Sequence, residues 1–259
     1  MHRGPAVLLL LLLPGCLHSN FNLATRREEY TITSTEKEVS LGRTIAHRVT
    51  KELPVTADEP MQQKVRAIGE RIVAVCDRKE LVYTFTVIHD DEVNAFSLPG
   101  GYVYLNDGLI KKADSDDELA GVIAHEVAHI TARHAVKRYE SNLGMQLAQV
   151  AAIASRSRSA GGMGVAMQAA QLAYARQDEL EADRLAVKYM KLAGFDPTAM
   201  LKFLQKLSAL HSTRITYLPR GMTRPQYAMT HPYVPERIRA VKEALYGVAD
   251  YIDYLNSPQ

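Results

Sequence analysis

Glu118-Leu119-Ala120-Gly121-Val122-Ile123-Ala124-His125-Glu126-Val127-Ala128-His129 is the stretch on which the reading of this chain turns. It is an apolar helical run with two histidines four residues apart and a glutamate directly after the first. A spacing of four is slightly more than one helical turn, so both imidazoles leave one face and can converge on one ion. Glu126 is offset by about 100° around the helix. That makes it a poor third ligand and a well-placed base for a water on the ion. The plain alternative is a core helix with two buried histidines. By composition, His-Glu-x-x-His arises by chance in a chain of this length on the order of 1% of the time. Its apolar setting, where unpaired charge is costly, adds weight to a metal site.

A zinc helix needs one more protein ligand, and Gln177-Asp178-Glu179-Leu180-Glu181-Ala182-Asp183-Arg184 supplies candidates. Glu179 and Asp183 share a helical face, whereas Glu181 points roughly 160° away from it. Glu179 as the ligand and Asp183 as the acid that fixes a ligand imidazole satisfy both needs of such a site. An acidic solvated helix face is the alternative for this segment. Ala132 and Ala135 stand where the extended three-histidine zinc pattern needs further residues. The expected site is therefore two histidines plus a carboxylate, holding one Zn²⁺ per chain.

Between Leu81 and Leu105 the periodicity changes to two, with β-branched and aromatic residues at Val82 to Ile88. Asn94-Ala95-Phe96-Ser97-Leu98 and Tyr102-Val103-Tyr104-Leu105 flank Pro99-Gly100-Gly101, a hairpin signal. The sheet precedes the metal helix directly, so Asn94, Ala95 and Phe96 are candidates for an edge that receives substrate as an added strand. Asp114 to Glu118 put acids in the first turn of the metal helix, where they favour the helix dipole. That helix is expected to continue through Arg133 to Tyr139. His134, five residues past His129, then faces elsewhere and has no ligand role.

The remaining segments carry less chemistry. Ser34 to Val49 and Pro60 to Val75 read as capped helices, and His47 is a lone histidine given a structural role. Cys76 reads as a buried apolar thiol. Leu143 to Ala154 and Val165 to Ala175 read as two helices joined by a Ser/Arg/Gly linker at 155–162. That linker is either a cover for the cleft or a plain solvated connection. Residues 212–230 read as a long loop bordering the cleft.

At the start, Met1 to Val7 and the leucines Leu8 to Leu13 read as a secretory signal over 1–15. The apolar run is far shorter than the roughly 20 residues of a spanning helix. Leu13-Pro14-Gly15-Cys16 resembles the bacterial lipobox, although Pro14 departs from its usual residue; a plain signal peptide is the alternative. Cys16 is thus a candidate lipidation site, with 16–33 as a tether and 34–259 as the catalytic domain. Leu17, with no aspartate after Cys16, resembles the outer-membrane sorting pattern of lipoproteins.

With 259 residues, 47% hydrophobic, 23% charged and a net charge of +2, the composition is that of a globular protein. There is no basic block or RNA-binding signature, so no nucleic-acid partner is expected. Neither a Walker loop nor a dinucleotide-binding glycine fingerprint occurs.

Taken together, His125-Glu126-x-x-His129, Glu179-x-x-x-Asp183, Asn94-Ala95-Phe96-x-x-Pro99-Gly100-Gly101 and His231-Pro232 with Arg237 resemble the M48 (Ste24/HtpX-like) zinc metallopeptidases, most closely their periplasmic lipoprotein branch. The resemblance covers roughly residues 34–245. It implies an α+β, predominantly helical gluzincin fold with a small sheet beside the metal helix, and endopeptidase action on misfolded or unassembled envelope proteins. It also implies that His231 is either an oxyanion stabiliser or a reversible extra metal ligand, with Arg237 beside it. The spanning helices of the integral-membrane members are absent, and after the last motif only residues 240–259 remain, less than one helical repeat of the kind some envelope members carry.

The expected chemistry is hydrolysis by a zinc-activated water with Glu126 as general base. The expected location is the periplasmic side of the outer membrane, anchored by lipid on Cys16, with inner-membrane anchoring or a soluble periplasmic form as alternatives and the outer-membrane assembly machinery as a candidate partner. Two other classes remain open: a latent or non-catalytic lipoprotein that holds assembling outer-membrane proteins, and a small-molecule metal hydrolase with a closed pocket.

Overall fold

The computed structural model describes residues 18–143, 160–215, 231 and 234–247. Cys16 and the segment expected as a signal therefore lie outside the described residues, as do the linker at 155–159 and most of the 212–230 loop. The chain begins with a hairpin of β1 (His18–Asn22) and β2 (Arg27–Thr31). Helices α1 (Thr35–Glu52) and α2 (Glu59–Val73) follow. Then come strands β3 (Thr84–Ile88), β4 (Ala95–Leu98) and β5 (Tyr102–Asn106) and a short α3 (Asp107–Ile110). The metal-motif helix α4 runs Asp116–Thr131, a helix α5 covers 134–143, and α6 (Ala160–Leu192), α7 (Thr198–Ile215) and α8 (Val234–Tyr246) complete the fold.

α4 is the hub. Every residue from Glu118 to Thr131 is buried, and the helix packs against α2, α6 and α7 and against β4 and β5. Its many small residues permit this crowding: a Cβ on Gly121 would stand 3.1 Å from Met200 Cβ. The N-terminus is fixed by Ser115, whose hydroxyl accepts from the Glu118 amide at 3.2 Å. Glu118 reaches back to accept from the Asp114 amide at 2.9 Å. Of the first-turn acids, Glu118 thus takes part in the cap, with Ser115 as N-cap.

The sheet order is β3-β5-β4, with β3 parallel and β4 antiparallel to β5. β4 is therefore an edge, joined to β5 through Pro99-Gly100-Gly101, and the two glycines adopt φ of +80 and +107 that bulkier residues resist. Helix α1 presses onto this turn, and only a glycine at 42 fits there: a Cβ would lie 1.8 Å from the Pro99 carbonyl oxygen. His47 is exposed on α1, while Cys76 is buried, and burial pushes its thiol up.

Three local expectations are corrected. The segment 18–33, expected as a tether, is folded against the body as the β1–β2 hairpin. Residues 160–162, expected in a linker, lie inside α6, which joins the two helices expected at 165–175 and 177–187 into one of 33 residues. Helix α4 also stops at Thr131. Arg133 takes a φ of 58 and the chain restarts as α5 at His134.

That break is held by long-range contacts. The Arg133 guanidinium donates from Nε to Glu38 at 3.0 Å, from Nη1 to the Thr31 hydroxyl at 3.2 Å and from Nη2 to the Thr33 carbonyl at 2.6 Å. Glu38 is 1% exposed and is also paired with Arg78 at 2.9 Å.

Candidate metal centre

Four buried groups converge at the centre of the molecule. One ligand atom from each of His125, His129, Glu179 and His231 lies within 4.8 Å of the others. α4 contributes the histidines from one face, α6 brings Glu179 across from it, and His231 enters just before α8. The separations are His129 Nε2 to His125 Nε2 3.1 Å, His125 Nε2 to Glu179 Oε2 3.3 Å, His129 Nε2 to Glu179 Oε1 3.4 Å and His231 Nδ1 to Glu179 Oε2 3.1 Å. His231 Nδ1 is 3.3 Å from His125 Nε2.

The residues fit a zinc ion on these distances. Ligand atoms on a tetrahedron of bond length about 2.0–2.1 Å are separated by about 3.3 Å, close to the 3.1–3.4 Å between His125 and His129 and from each of them to its nearer Glu179 oxygen. The orphaned atoms agree. Glu179 Oε1 and both carboxylate oxygens of Glu126 are buried with no hydrogen-bond partner among the described residues. A buried carboxylate in that condition is unfavourable by several kcal/mol unless a cation or its water meets it. His231 Nε2 stands 3.3 Å from Glu126 Oε1, off the direction a hydrogen bond requires.

The partners on the outer side of each ligand fix which nitrogen faces inward. A carboxylate only accepts, so Asp183 Oδ1, 2.9 Å from His125 Nδ1, holds the proton there and leaves Nε2 facing the centre. Asp183 is itself clamped by Arg237, with Nε to Oδ2 at 2.9 Å and Nη2 to Oδ1 at 2.8 Å, all within a fully buried pair. The Ala95 carbonyl, 3.3 Å from His231 Nε2, can only accept, so a proton sits on Nε2 and Nδ1 faces the ligand set.

Charges follow the same plan. Burial and the Arg237 charge push the His125 imidazolium down, but Asp183 and Glu179 outweigh them and the ring ends up at about 9. Burial drives His129 well below the ordinary range. Burial raises Glu179, yet His231 and His129 overcome it and hold the carboxyl well down. Asp183 is also held down, because Arg237 and His125 outweigh its desolvation.

Of the residues singled out from sequence, Glu126, His125, His129, Glu179, Asp183, His231 and Arg237 come together. Arg237 reaches Asp183, and its Nη1 is 3.4 Å from Glu179 Oε2. Asn94 and Ala95 are buried at the start of β4, and Phe96 is half-buried with its ring stacked on Tyr104 at 4.9 Å. Asn94 carbonyl accepts from the Asn106 amide on β5 at 2.9 Å, so the next carbonyl, that of Ala95, points to the open edge, where His231 meets it. Among the described residues the cavity bordered by His125 and Arg237 measures 10 Å³, room for about one water.

Sequence reasoning missed His134. The break at Arg133 swings it back, and its Nδ1 lies 2.8 Å from His129 Nδ1. His134 Nε2 in turn faces Glu181 Oε2 at 3.3 Å and Asp178 Oδ1 at 3.6 Å. Glu181, set aside because it points away from Glu179, is thus the outer end of a chain behind the second ligand, and its hydrogen bond to His134 holds its carboxyl down. Nothing local announced this, since five residues on an unbroken helix place the ring elsewhere.

The family model for Peptidase family M48 matches residues 59–245. The chain is 29% identical over 238 residues to a beta-barrel assembly-enhancing protease of Yersinia pestis, covering 86% of this chain and 48% of the relative. It is 29% identical over 213 residues to the protein of that name from Escherichia coli K12, covering 78% and 42%. To the mitochondrial metalloendopeptidase OMA1 of Schizosaccharomyces pombe it is 31% identical over 187 residues, covering 72% and 53%. The chain spans about half the length of these curated relatives. It belongs to peptidase family M48.

Proposed function

We propose that this M48 chain is a zinc endopeptidase of the bacterial cell envelope, acting on misfolded or unassembled envelope proteins. The observation that carries the reading is the pair of orphaned Glu126 oxygens beside four converging ligand atoms. His125, His129 and Glu179 would hold the ion. Bound zinc supplies Lewis acidity, which polarises the scissile carbonyl and makes a water acidic enough to lose its proton near neutral pH. Glu126 takes that proton on a carboxylate oxygen as the water oxygen bonds to the scissile carbonyl carbon, and passes it to the leaving amine nitrogen as the C–N bond breaks. Asp183, clamped by Arg237, keeps the His125 tautomer correct throughout.

β4 is the proposed substrate edge, and His231 bears on it directly. Its Nε2 meets the Ala95 carbonyl that an added strand would use, and its Nδ1 stands 3.1 Å from Glu179 Oε2 and 3.3 Å from His125 Nε2. This arrangement favours the reading of His231 as a reversible extra ligand: it leaves before substrate enters, and its Nε2 proton is then within reach of a developing oxyanion. The resting site is accordingly latent.

Location and partners follow from other observations. The signal-like start with Cys16 supports a lipid-anchored protein on the periplasmic face of the outer membrane. No helix among the described residues is long and apolar enough to cross a membrane. The names of the Yersinia pestis and Escherichia coli relatives support a connection to β-barrel assembly. The test is cleavage of casein by the purified chain, stripped with chelator and restored with zinc. Zinc-dependent cleavage supports the reading, whereas a zinc-loaded chain that binds unfolded protein without cutting it replaces the enzyme with a holding lipoprotein.

A further inference from the structure

The β1–β2 hairpin has two unlike faces. The register sets Ser19 opposite Tyr30 and Phe21 opposite Glu28, so these four share one side. Leu23 and Ile32 continue the alternation past the strand ends. Phe21 is 59% exposed, Leu23 63%, Tyr30 63% and Ile32 40%. Four large apolar side chains on one small sheet face form a patch of the kind that marks a contact surface.

The opposite face is bolted to the body. Asn22 Nδ2 donates to the Thr131 carbonyl at 3.2 Å, Lys137 pairs with Glu29 at 2.7 Å, and Arg133 donates to the Thr31 hydroxyl. The main-chain amide of Thr33 donates to Glu140 at 2.8 Å. The hairpin is therefore held on a rigid support and is not a frayed end; Phe21 and Leu23 also border a cavity of about 260 Å³ with Asp77, Arg78 and Glu80.

Chain order identifies the occupant. The six leucines end at Leu13, Cys16 follows, and β1 starts at His18. An extended chain advances about 3.3–3.6 Å per residue, so His18 stands within about 7 Å of Cys16 and about 18 Å of Leu13. Whichever of the two engages lipid, no spacer of useful length separates the hairpin from the bilayer. Phe and Tyr suit the boundary between headgroups and acyl chains. Arg26, exposed at the turn, suits headgroup phosphates, whereas Arg27 lies on the opposite face 3.8 Å from Glu181. Glu28, the acid on the apolar face, lies 3.5 Å from the Tyr30 hydroxyl, which donates to it.

We propose that the outward face of the hairpin, through Phe21, Leu23, Tyr30 and Ile32, lies on the phospholipid surface and docks the protease domain there. This rests on the envelope reading above. Because the same hairpin grips Thr131 and Arg133 at the end of the metal helix, docking fixes the orientation of the catalytic centre relative to the membrane.

The test uses full-length chain in membranes, with single spin labels on Phe21→Cys or Tyr30→Cys and on Val82→Cys, which is 83% exposed, as the aqueous control. Cys76 is buried, and carrying each label in a Cys76→Ser background removes any signal from it. Docking predicts that labels at 21 and 30 meet membrane-dissolved oxygen several-fold more often, relative to a water-soluble nickel chelate, than the label at 82. A membrane-bound chain whose labels at 21 and 30 match the aqueous control contradicts docking and leaves the anchor intact. Labels screened from both reagents contradict it in favour of a protein partner on this face. Recovery of the chain entirely in the soluble fraction overturns the anchor and the docking together.

Discussion

His129 and His134 meet through their Nδ1 atoms at 2.8 Å, across a break in the helix that carries the zinc motif. His129 keeps Nε2 for the metal, so its Nδ1 proton is donated to His134, whose own Nε2 proton points to Glu181. An outer partner of this kind orients the ligand ring and raises its basicity. His134→Ala is therefore expected to weaken zinc affinity by about 10–100-fold, read by competition with a chromogenic chelator. His134→Asn, whose Oδ1 stands near the lost Nδ1, recovers most of it. Unchanged affinity in the alanine variant removes His134 from the account.

The Asp183–Arg237 clamp gives a stability prediction. Both side chains are fully buried and joined by two hydrogen bonds. Arg237→Ala leaves the Asp183 carboxylate without its guanidinium, with only His125 beside it, and breaking a buried pair from one side destabilises by about 3–5 kcal/mol. Denaturant unfolding of the zinc-free variant and parent should show a loss of that order. Equal midpoints would mean that Asp183 finds water in place of the guanidinium.

His231 is predicted to be dispensable for zinc retention, in contrast to His129. His231→Ala still offers His125, His129 and Glu179, and elemental analysis should find about one zinc per chain. His129→Ala should be purified largely without metal. A metal-free His231→Ala protein would make His231 a permanent ligand and not a latch.

A packing prediction tests how α1 braces β4, the proposed substrate edge. Gly42→Ala sets a Cβ 1.8 Å from the Pro99 carbonyl oxygen, a backbone atom that cannot swing aside. Helix and turn must separate, at a cost of about 1–3 kcal/mol. Thermal unfolding of the variant measures it, and an unshifted transition would show that the turn moves freely.

Local pattern made much of this protein legible. The His-Glu-x-x-His spacing, the Glu179/Asp183 pair on one helical face and the Pro99-Gly100-Gly101 turn all express periodicities that the backbone enforces within a few residues. His134 did not, because its position depends on Arg133 at a φ of 58, a conformation held by Glu38, Thr31 and Thr33 from about 100 residues away in sequence. The hairpin at 18–31 was hidden for a similar reason. Its polar sequence resembles a tether, and what folds it is the set of bonds from Thr131, Arg133, Lys137 and Glu140. Gly161 and Gly162 read as a linker yet lie inside α6 despite their low helix propensity.

The most direct test of the catalytic assignment is Glu126→Gln, assayed for zinc content and casein cleavage side by side with the parent chain. Glu126 touches no other ligand in hydrogen-bond geometry, so the account predicts that zinc stays at about one per chain. Cleavage should fall by at least about 10²–10⁴-fold, the contribution of a positioned general base. Full cleavage by the glutamine variant at unchanged zinc would contradict the mechanism.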